Sequence, residues 1–207
     1  MGIVEVMSAS KKAHAVSVIA LTFMLSGCGL GEKLAGPPPE TYDLQAPSQF
    51  GKDRARSRAQ LLVPKPTALR NLDSESIIAR SGDAVITKLP DSQWGDSLPS
   101  VVQTNIIRGF ENTGRIKAVG RPGEGMLSEY QLLLDIRSFD YVSSSGEANV
   151  VISARIMNDR SGRIVATRIF RADQFSESSD AAQVVAALNG AFLTVSRQIV
   201  DWTLRRI

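Results

Sequence analysis

Histidine and cysteine are nearly absent from this chain of 207 residues, which has one of each, His14 and Cys28. The sequence after residue 28 therefore excludes Ser-His-Asp and Cys-His nucleophile pairs, histidine-ligated zinc and disulfides. Aspartate and glutamate are scattered singly, and no calcium loop, phosphate-binding glycine loop or dinucleotide fingerprint occurs. We therefore predict that the chain is not an enzyme, binds no cofactor and holds no metal.

Strong charge of either sign is also missing. The formal net charge is +3, and no basic patch interleaved with base-stacking aromatic side chains is present. We predict no nucleic-acid partner. One local cluster, Lys52 to Arg58, carries basic residues around the single acid Asp53. It is either a solvated loop, the favoured interpretation, or a docking patch for an acidic partner or for lipid headgroups.

Long apolar runs are absent, apart from one near the N-terminus. Lys11 and Lys12 precede an apolar run over residues 13–25, which is shorter than the ~20 residues needed to cross a bilayer. This layout is typical of a secretory signal. The run ends at Leu25-Ser-Gly-Cys28, which resembles the bacterial lipoprotein box. In that motif the thiol receives a diacylglycerol, the chain is cut before the cysteine, and the new amino group is acylated.

Two alternatives explain the position of Cys28 less well: an ordinary secretory signal with a chance cysteine, and a buried core helix. We therefore predict a signal peptide at residues 1–27 and lipidation of Cys28. Several acyl chains anchor a protein stably, because each buried methylene contributes ~0.8 kcal/mol. The protein should then be bound permanently to a membrane.

Residues 28–40 are rich in glycine and proline and contain few large apolar side chains, which predicts a flexible tether. About ten such residues, at ~3.3 Å each, reach roughly 30 Å when stretched. Residues 41–207 should then form one domain, because their number lies within the ~100–200 residues typical of a domain.

Short β-rich runs separated by turn residues predict strands along this domain. They lie at 41–44, 59–63, 76–80, 84–88, 115–119, 129–141, 148–157 and 163–170. The turn at 81–83 predicts a hairpin between the third and fourth strands. Polar turns ending at Gly146 and Gly162 join the last three strands into an antiparallel meander.

Two helices are predicted. The first begins at Asp96 or Ser97 as its cap, has Pro99 in its first turn and ends before Gly114. Trp94, just before it, either contacts a ligand or, as we favour, packs the start of the helix onto the sheet.

The second helix follows the capping residues 178–180 and contains no proline. Its apolar residues recur at steps of three or four and form one stripe: Val184, Leu188, Ala191, Val195, Ile199 and Trp202. We favour a core helix over a partner-binding helix, with Gly190 allowing close approach to the sheet. The predicted fold is α+β, a mainly antiparallel sheet covered on one face by two helices in a single domain.

The order and spacing of short motifs resemble the ABC-type transport auxiliary lipoproteins along the whole chain. The motifs are the lipoprotein box, Tyr42-x-Leu44, Leu61-Leu-Val63-x-x-Pro66, Ile77-Ile-x-Arg80, Trp94, Tyr130-x-Leu132 through Phe139, Arg168-x-Phe170 and Ile199-x-x-Trp202. The chain departs from the family pattern in its arginine-rich stretch 52–58 and at Trp94-Gly-Asp96.

The resemblance implies a periplasmic, lipid-anchored, non-catalytic adaptor. Its partner would be the MCE-domain substrate-binding subunit of an ABC transport system that moves lipids or other hydrophobic compounds between membranes. Gly29, rather than an aspartate, follows Cys28, which by the usual sorting rule implies the periplasmic face of the outer membrane. A homo-oligomer is left open. Two other functions remain as alternatives, a carrier that holds a lipid between sheet and helices and an outer-membrane assembly factor.

Overall fold

In the computed structural model, which describes residues 37–51, 56–82 and 85–207, nine strands and two helices follow one another. The strands are β1 (Glu40–Tyr42), β2 (Ser57–Leu62), β3 (Thr67–Ala68), β4 (Ser76–Ser81), β5 (Val85–Trp94), β6 (Ile116–Gly120), β7 (Tyr130–Val142), β8 (Glu147–Asn158) and β9 (Ile164–Phe175). The helices are α1 (Leu98–Thr113) and α2 (Ala181–Leu204). Residues 39–207 form one compact unit.

The predicted meander is confirmed. Strands β7, β8 and β9 pair antiparallel along nearly their whole length. The two turns close at Gly146 and Gly162, whose φ angles of 71° and 65° lie in the left-handed region that glycine adopts without strain. The predicted hairpin is also present, since β4 and β5 pair antiparallel.

Parallel pairing, which the sequence did not reveal, completes the sheet. Strand β7 pairs in parallel with β2, β3 and β4, while β2 also pairs in parallel with β6. The sheet is therefore mixed, with its longest ladders antiparallel. Strand β7 lies at its centre and joins both halves of the chain.

Strand β5 is longer than the strand predicted at 84–88 and runs to Trp94. The reason is a distant partner, since Ser92, Gln93 and Trp94 pair in parallel with the three residues of β1. Asp91, at φ 49°, lies within β5 just before this second ladder.

Both helices were placed correctly, but their predicted caps are not formed. Ser97 and Asp180 occupy the N-cap positions without a side-chain hydrogen bond to the helix backbone. The Ser97 hydroxyl instead pairs with that of Ser100 at 2.9 Å, and Asp180 accepts a hydrogen bond from the Ser178 hydroxyl at 3.0 Å. Gly114 ends α1 in the left-handed conformation, as its position predicts.

The helices cover one face of the sheet, and the core lies between the two layers. All six residues of the predicted α2 stripe are buried, which confirms the core helix. Aromatic side chains link the layers, because Phe170 contacts Trp202 edge-on at 5.6 Å and Phe139 lies 6.0 Å from Phe192. Trp94 packs edge-on against Phe139 at 5.8 Å and is buried, so its structural interpretation is confirmed.

Gly190 of α2 lies beside Gln174 of β9. A Cβ atom built on Gly190 would lie 1.9 Å from the Oε1 atom of Gln174. The absence of a side chain at position 190 therefore makes room for the end of the Gln174 side chain, and the predicted close approach of the helix to the sheet stays a prediction.

Candidate functional site

The predicted lipidation site lies outside the described residues, so Cys28 stays a prediction. The same is true of Lys52 and Arg54 in the basic cluster. Arg56 and Arg58 are described, and both are exposed. Within the described part of the chain, no helix is both long enough and apolar enough to pass through a bilayer.

The candidate site is the face of the sheet that α1 and α2 do not cover, which we call the open face. Side chains that are directly opposite in a ladder point to the same side, so the register assigns its members. They are Asp135, Ser138 and Asp140 of β7, then Glu147, Asn149, Val151, Ser153 and Arg155 of β8, and Thr167, Ile169, Arg171, Asp173 and Phe175 of β9.

A salt bridge between Arg80 and Asp140 lies at one end of the open face. The Nε atom of Arg80 donates to Oδ2 of Asp140 at 2.9 Å. The Asp140 side chain is 3% exposed and that of Arg80 25%. The parallel pairing of β4 with β7 brings the two residues together, and the Arg80 carbonyl also accepts hydrogen bonds from the backbone and hydroxyl of Ser143.

Shallow depressions flank this ion pair. One, of about 470 Å³, is lined by Arg80, Asp140 and Asn149. Arg171 and Asp173 of β9, the strand next to β8, also line it. A second, of about 370 Å³, lies further along the same face beside Asp135 and Arg155. Both contain side chains of each charge sign, so the open face offers mixed polar contacts rather than one strong charge.

Apolar side chains are exposed on the same face. Ile86, Ile164, Ile169 and Phe175 are among the most exposed large apolar residues of the described chain, and the register places all four on this side of the sheet. The Phe175 ring lies over Gly146, at a distance that leaves no room for a side chain there. Thr167, Arg171 and Asp173 separate the three apolar residues of β9 on this face, and Ile86 lies on β5, so single apolar side chains alternate with polar and charged ones.

We expect Asp140→Ala to lower the free energy of unfolding by about 2–3 kcal/mol. The substitution leaves the Arg80 charge without a partner, and the loss should be slightly below the ~3–5 kcal/mol of a fully buried pair because Arg80 keeps some contact with water. Urea denaturation measures it. The matched control is Asp73→Ala, whose ion pair with Lys65 at 3.6 Å is about half exposed and should contribute less than ~1 kcal/mol. Equal losses in the two variants would contradict the buried pair.

A third depression, of about 260 Å³, lies beside the start of α1 and is lined by Tyr42, Asp96 and Arg108. The Tyr42 hydroxyl donates a hydrogen bond to the Glu40 carboxylate. This bond, followed by partial burial and the Glu40 charge, raises the pKa of Tyr42 above its usual value of 10.0. Deprotonation of this tyrosine therefore has no role at neutral pH.

The interface between sheet and helices is filled. Leu188, Phe192 and Val195 of α2 are fully buried and belong to the same core cluster as Ile152 of β8 and Phe170 of β9. Neither the three depressions above nor two others, around Arg115 and around Ile116, include a residue of α2. None of these five depressions therefore lies beneath α2.

Among the described residues, no three aspartate, glutamate, histidine or cysteine side chains come together in a way that could hold a metal ion. No sequence pattern indicates that Arg80 and Asp140 form a pair. They lie sixty positions apart, and only the parallel pairing of β4 with β7 brings them together.

Comparisons with known proteins give a consistent result. The family model of the ABC-type transport auxiliary lipoprotein component matches residues 42–200. An uncharacterised protein of Bradyrhizobium diazoefficiens is 34% identical over 182 residues, which cover 85% of this chain and 48% of that protein. The chain thus spans about half the length of the curated relative it matches.

Solved structures share the fold. A crystal structure of a Xanthomonas campestris protein superposes with a TM-score of 0.75 at 29% identity, covering 81% of this chain and 96% of that one. A second crystal structure, of an uncharacterised protein, superposes with a TM-score of 0.65 at 11% identity, covering 80% of this chain and 99% of that one. The second likeness concerns the fold alone.

Proposed function

Since the chain belongs to the ABC-type transport auxiliary lipoprotein component family, we propose that it is a non-catalytic adaptor of a lipid transport system. In this role acyl chains on Cys28 hold it to the periplasmic face of the outer membrane. Residues 28–40 act as a tether, and the domain at 41–207 binds the MCE-domain substrate-binding subunit of the transporter. The cargo would be a lipid or another hydrophobic compound.

The observation that carries the adaptor role is the contrast between the two faces of the sheet. The helix-covered face is filled by buried side chains, whereas the open face exposes single apolar side chains among charged ones of both signs. A lipid carrier would need a chamber of the kind seen in small-molecule sites, which enclose ~300–1,000 Å³ of mostly apolar space. The filled interface favours the adaptor over the carrier.

We further propose that the open face is the surface that binds the MCE-domain subunit. Its residues come from three long strands held in fixed register, so they form a rigid platform. A rigid surface binds a partner without a large loss of conformational entropy. Ile169, at the middle of β9 and 50% exposed, is the apolar side chain best placed for such a contact.

The test is capture of the MCE-domain subunit by crosslinking in the native envelope, comparing Ile169→Glu with wild type. Loss of an apolar contact at the centre of an interface costs ~2 kcal/mol or more, which corresponds to roughly thirtyfold weaker binding. Leu127→Glu is the matched control, because Leu127 is 85% exposed and is not part of the open face. Both variants should melt at the wild-type temperature.

Three results are informative. Reduced capture by Ile169→Glu alone supports both the adaptor role and the open face as its binding surface. Equal capture by all three proteins would keep the adaptor role and move the contact to another surface. If wild-type protein captures no MCE-domain subunit, the adaptor proposal itself fails.

A further inference from the structure

The outer edge of β9 is a long strand edge that no described strand covers. The strands at this end of the sheet follow the order β4, β7, β8 and β9, and β9 pairs only with β8. It is 12 residues long and has no proline. Such an edge presents a row of backbone N–H and C=O groups to which another strand can pair.

The backbone groups of β9 alternate between its inner and its outer edge. The Ser176 amide donates to the Gly146 carbonyl of the β7–β8 turn at 2.8 Å. Even-numbered residues near this end of β9 therefore direct their backbone groups toward β8. Odd-numbered residues from 167 to 175 direct theirs outward, and their side chains lie on the open face.

A second copy of β9 can pair antiparallel with this edge in several registers. A two-fold axis perpendicular to the sheet keeps both open faces on the same side and opposes odd-numbered to odd-numbered residues. An axis at Arg171 or at Asp173 would bring identical charges together, which is unfavourable. An axis at Ala172 instead opposes Arg171 to Asp173. The same axis opposes Ile169 to Phe175, and symmetry forms each pair twice.

The side chains that this register brings together are available in the single chain. Ile169 is 50% exposed and Phe175 66%. Arg171 and Asp173 are exposed as well. Ala172 lies on the axis, and its small side chain points to the helix-covered side, where it is partly buried. Charge and apolar surface are therefore complementary between two copies of the same strand.

We propose that two copies of the chain associate through their β9 edges, with residues 169–175 paired antiparallel about Ala172. The pairing joins the two sheets and their open faces into one continuous surface, and it is isologous, so it closes at two copies. Strand β1, which follows the proposed tether, lies at the opposite side of the sheet, beyond β4 and β5. Both copies can therefore stay anchored, and a shared membrane raises their effective concentration.

Disulfide capture in the native envelope tests the register. Ala172→Cys should form a disulfide-linked dimer under mild oxidation, because residues opposed across such an axis have Cα atoms ~4.5 Å apart, within the ~4.4–6.8 Å of disulfides. Ala166→Cys is the matched control. Ala166 is also partly buried on the helix-covered side of β9, but in this register it lies opposite residue 178. Wild-type protein is oxidised alongside to measure any contribution of Cys28.

Most of Ala172→Cys, and little of Ala166→Cys, should be crosslinked above the wild-type level. Equal crosslinking of the two variants, or none of Ala172→Cys, would overturn the register. Both variants should melt at the wild-type temperature.

Charge reversal tests the same register without a thiol. Sedimentation velocity of the lipidated full chain in maltoside micelles should show dimers weakened about tenfold or more by Arg171→Asp and by Asp173→Arg, because each change makes two attractive pairs repulsive. An equimolar mixture of these two variants opposes unlike charges at both pairs and should restore the dimer. Arg155→Asp is the matched control, because Arg155 is an exposed arginine of the open face on β8, one strand away from the edge.

A mixture that stays monomeric, or equal weakening by Arg155→Asp, would contradict the pairing of Arg171 with Asp173. Neither experiment contains the transport subunit or changes Ile169. Failure of the β9 pairing is therefore distinct from failure of the adaptor role, which capture of that subunit measures.

Discussion

Replacing Leu188 with aspartate is expected to unfold the domain. Leu188 is fully buried in the middle of the α2 stripe, against the β8 and β9 strands of the sheet. Removing a buried leucine costs ~2–5 kcal/mol, and burying an unpaired carboxylate adds several more. The sum is comparable with the ~5–15 kcal/mol that stabilises a typical domain. Circular dichroism should show a melting temperature lowered by more than ~15 °C, or no cooperative transition.

The matched control for this variant is Ala186→Asp on the same helix. Ala186 is exposed, so its substitution introduces the same carboxylate into water and should change stability by less than ~1 kcal/mol. Unchanged melting of Leu188→Asp would show that the stripe faces outward in solution, and would remove the sheet–helix core on which the two-layer fold depends.

The second large effect is expected from Cys28→Ala. If Cys28 carries the acyl chains, this variant loses its covalent lipid, whose buried methylenes contribute ~0.8 kcal/mol each, and no helix in the described residues is long and apolar enough to span a bilayer in its place. Intact mass should show that Cys28→Ala carries no acyl chain and keeps residues 1–27, because the lipoprotein box is cut only after its cysteine has received the diacylglycerol. Mass spectrometry of the wild-type protein should find a lipid-modified residue 28 at the N-terminus.

Two comparisons make this experiment decisive. Ser26→Ala keeps the thiol and a small residue at the cleavage region, so it should remain lipidated and membrane-bound. Intact mass of wild-type protein that showed a free thiol on Cys28, with the protein in the soluble fraction, would refute the anchor. The domain itself should melt at the same temperature in both variants, because residue 28 precedes the compact unit at 39–207.

Local sequence signals predicted the elements that are close together in the chain. The meander of β7, β8 and β9 follows from alternating strands joined by glycine turns, and α2 follows from its apolar stripe. These signals need only the nearest ten or twenty residues. The same is true of the β4–β5 hairpin, whose two strands are separated by a turn.

Pairing between distant segments could not be predicted in the same way. Leu61 pairs with Tyr130 and Ile78 with Asp140, more than sixty residues further along the chain. A single sequence does not indicate which of several similar strands becomes the partner. The alternation of apolar and polar residues shows which side of a strand is buried, but it does not identify the neighbouring strand. Strand β3 is two residues long and has no periodic signal at all.

The candidate sites depend on this distant pairing. The open face follows from the prediction that both helices cover the same face of the sheet. The Arg80–Asp140 pair, however, forms only because β4 lies beside β7. The sequence indicates Arg115 only as the first residue of the short strand predicted at 115–119. Its burial arises because the chain at Phe50 and Gly51 folds over its guanidinium, and no local pattern of residues signals that contact.

The short ladder between β1 and β5 has a mechanical consequence for an anchored protein. Any pull along residues 28–40 would reach the fold first at Glu40–Tyr42, whose strand runs parallel to the end of β5. Force along the strand axis loads these hydrogen bonds together in shear, rather than opening them one after another. The bond from the Gly95 amide to the Tyr42 carbonyl at 2.9 Å and the buried side chain of Leu44 lie just behind this strand. These contacts would resist the pull, so that tension at the membrane does not reach the core.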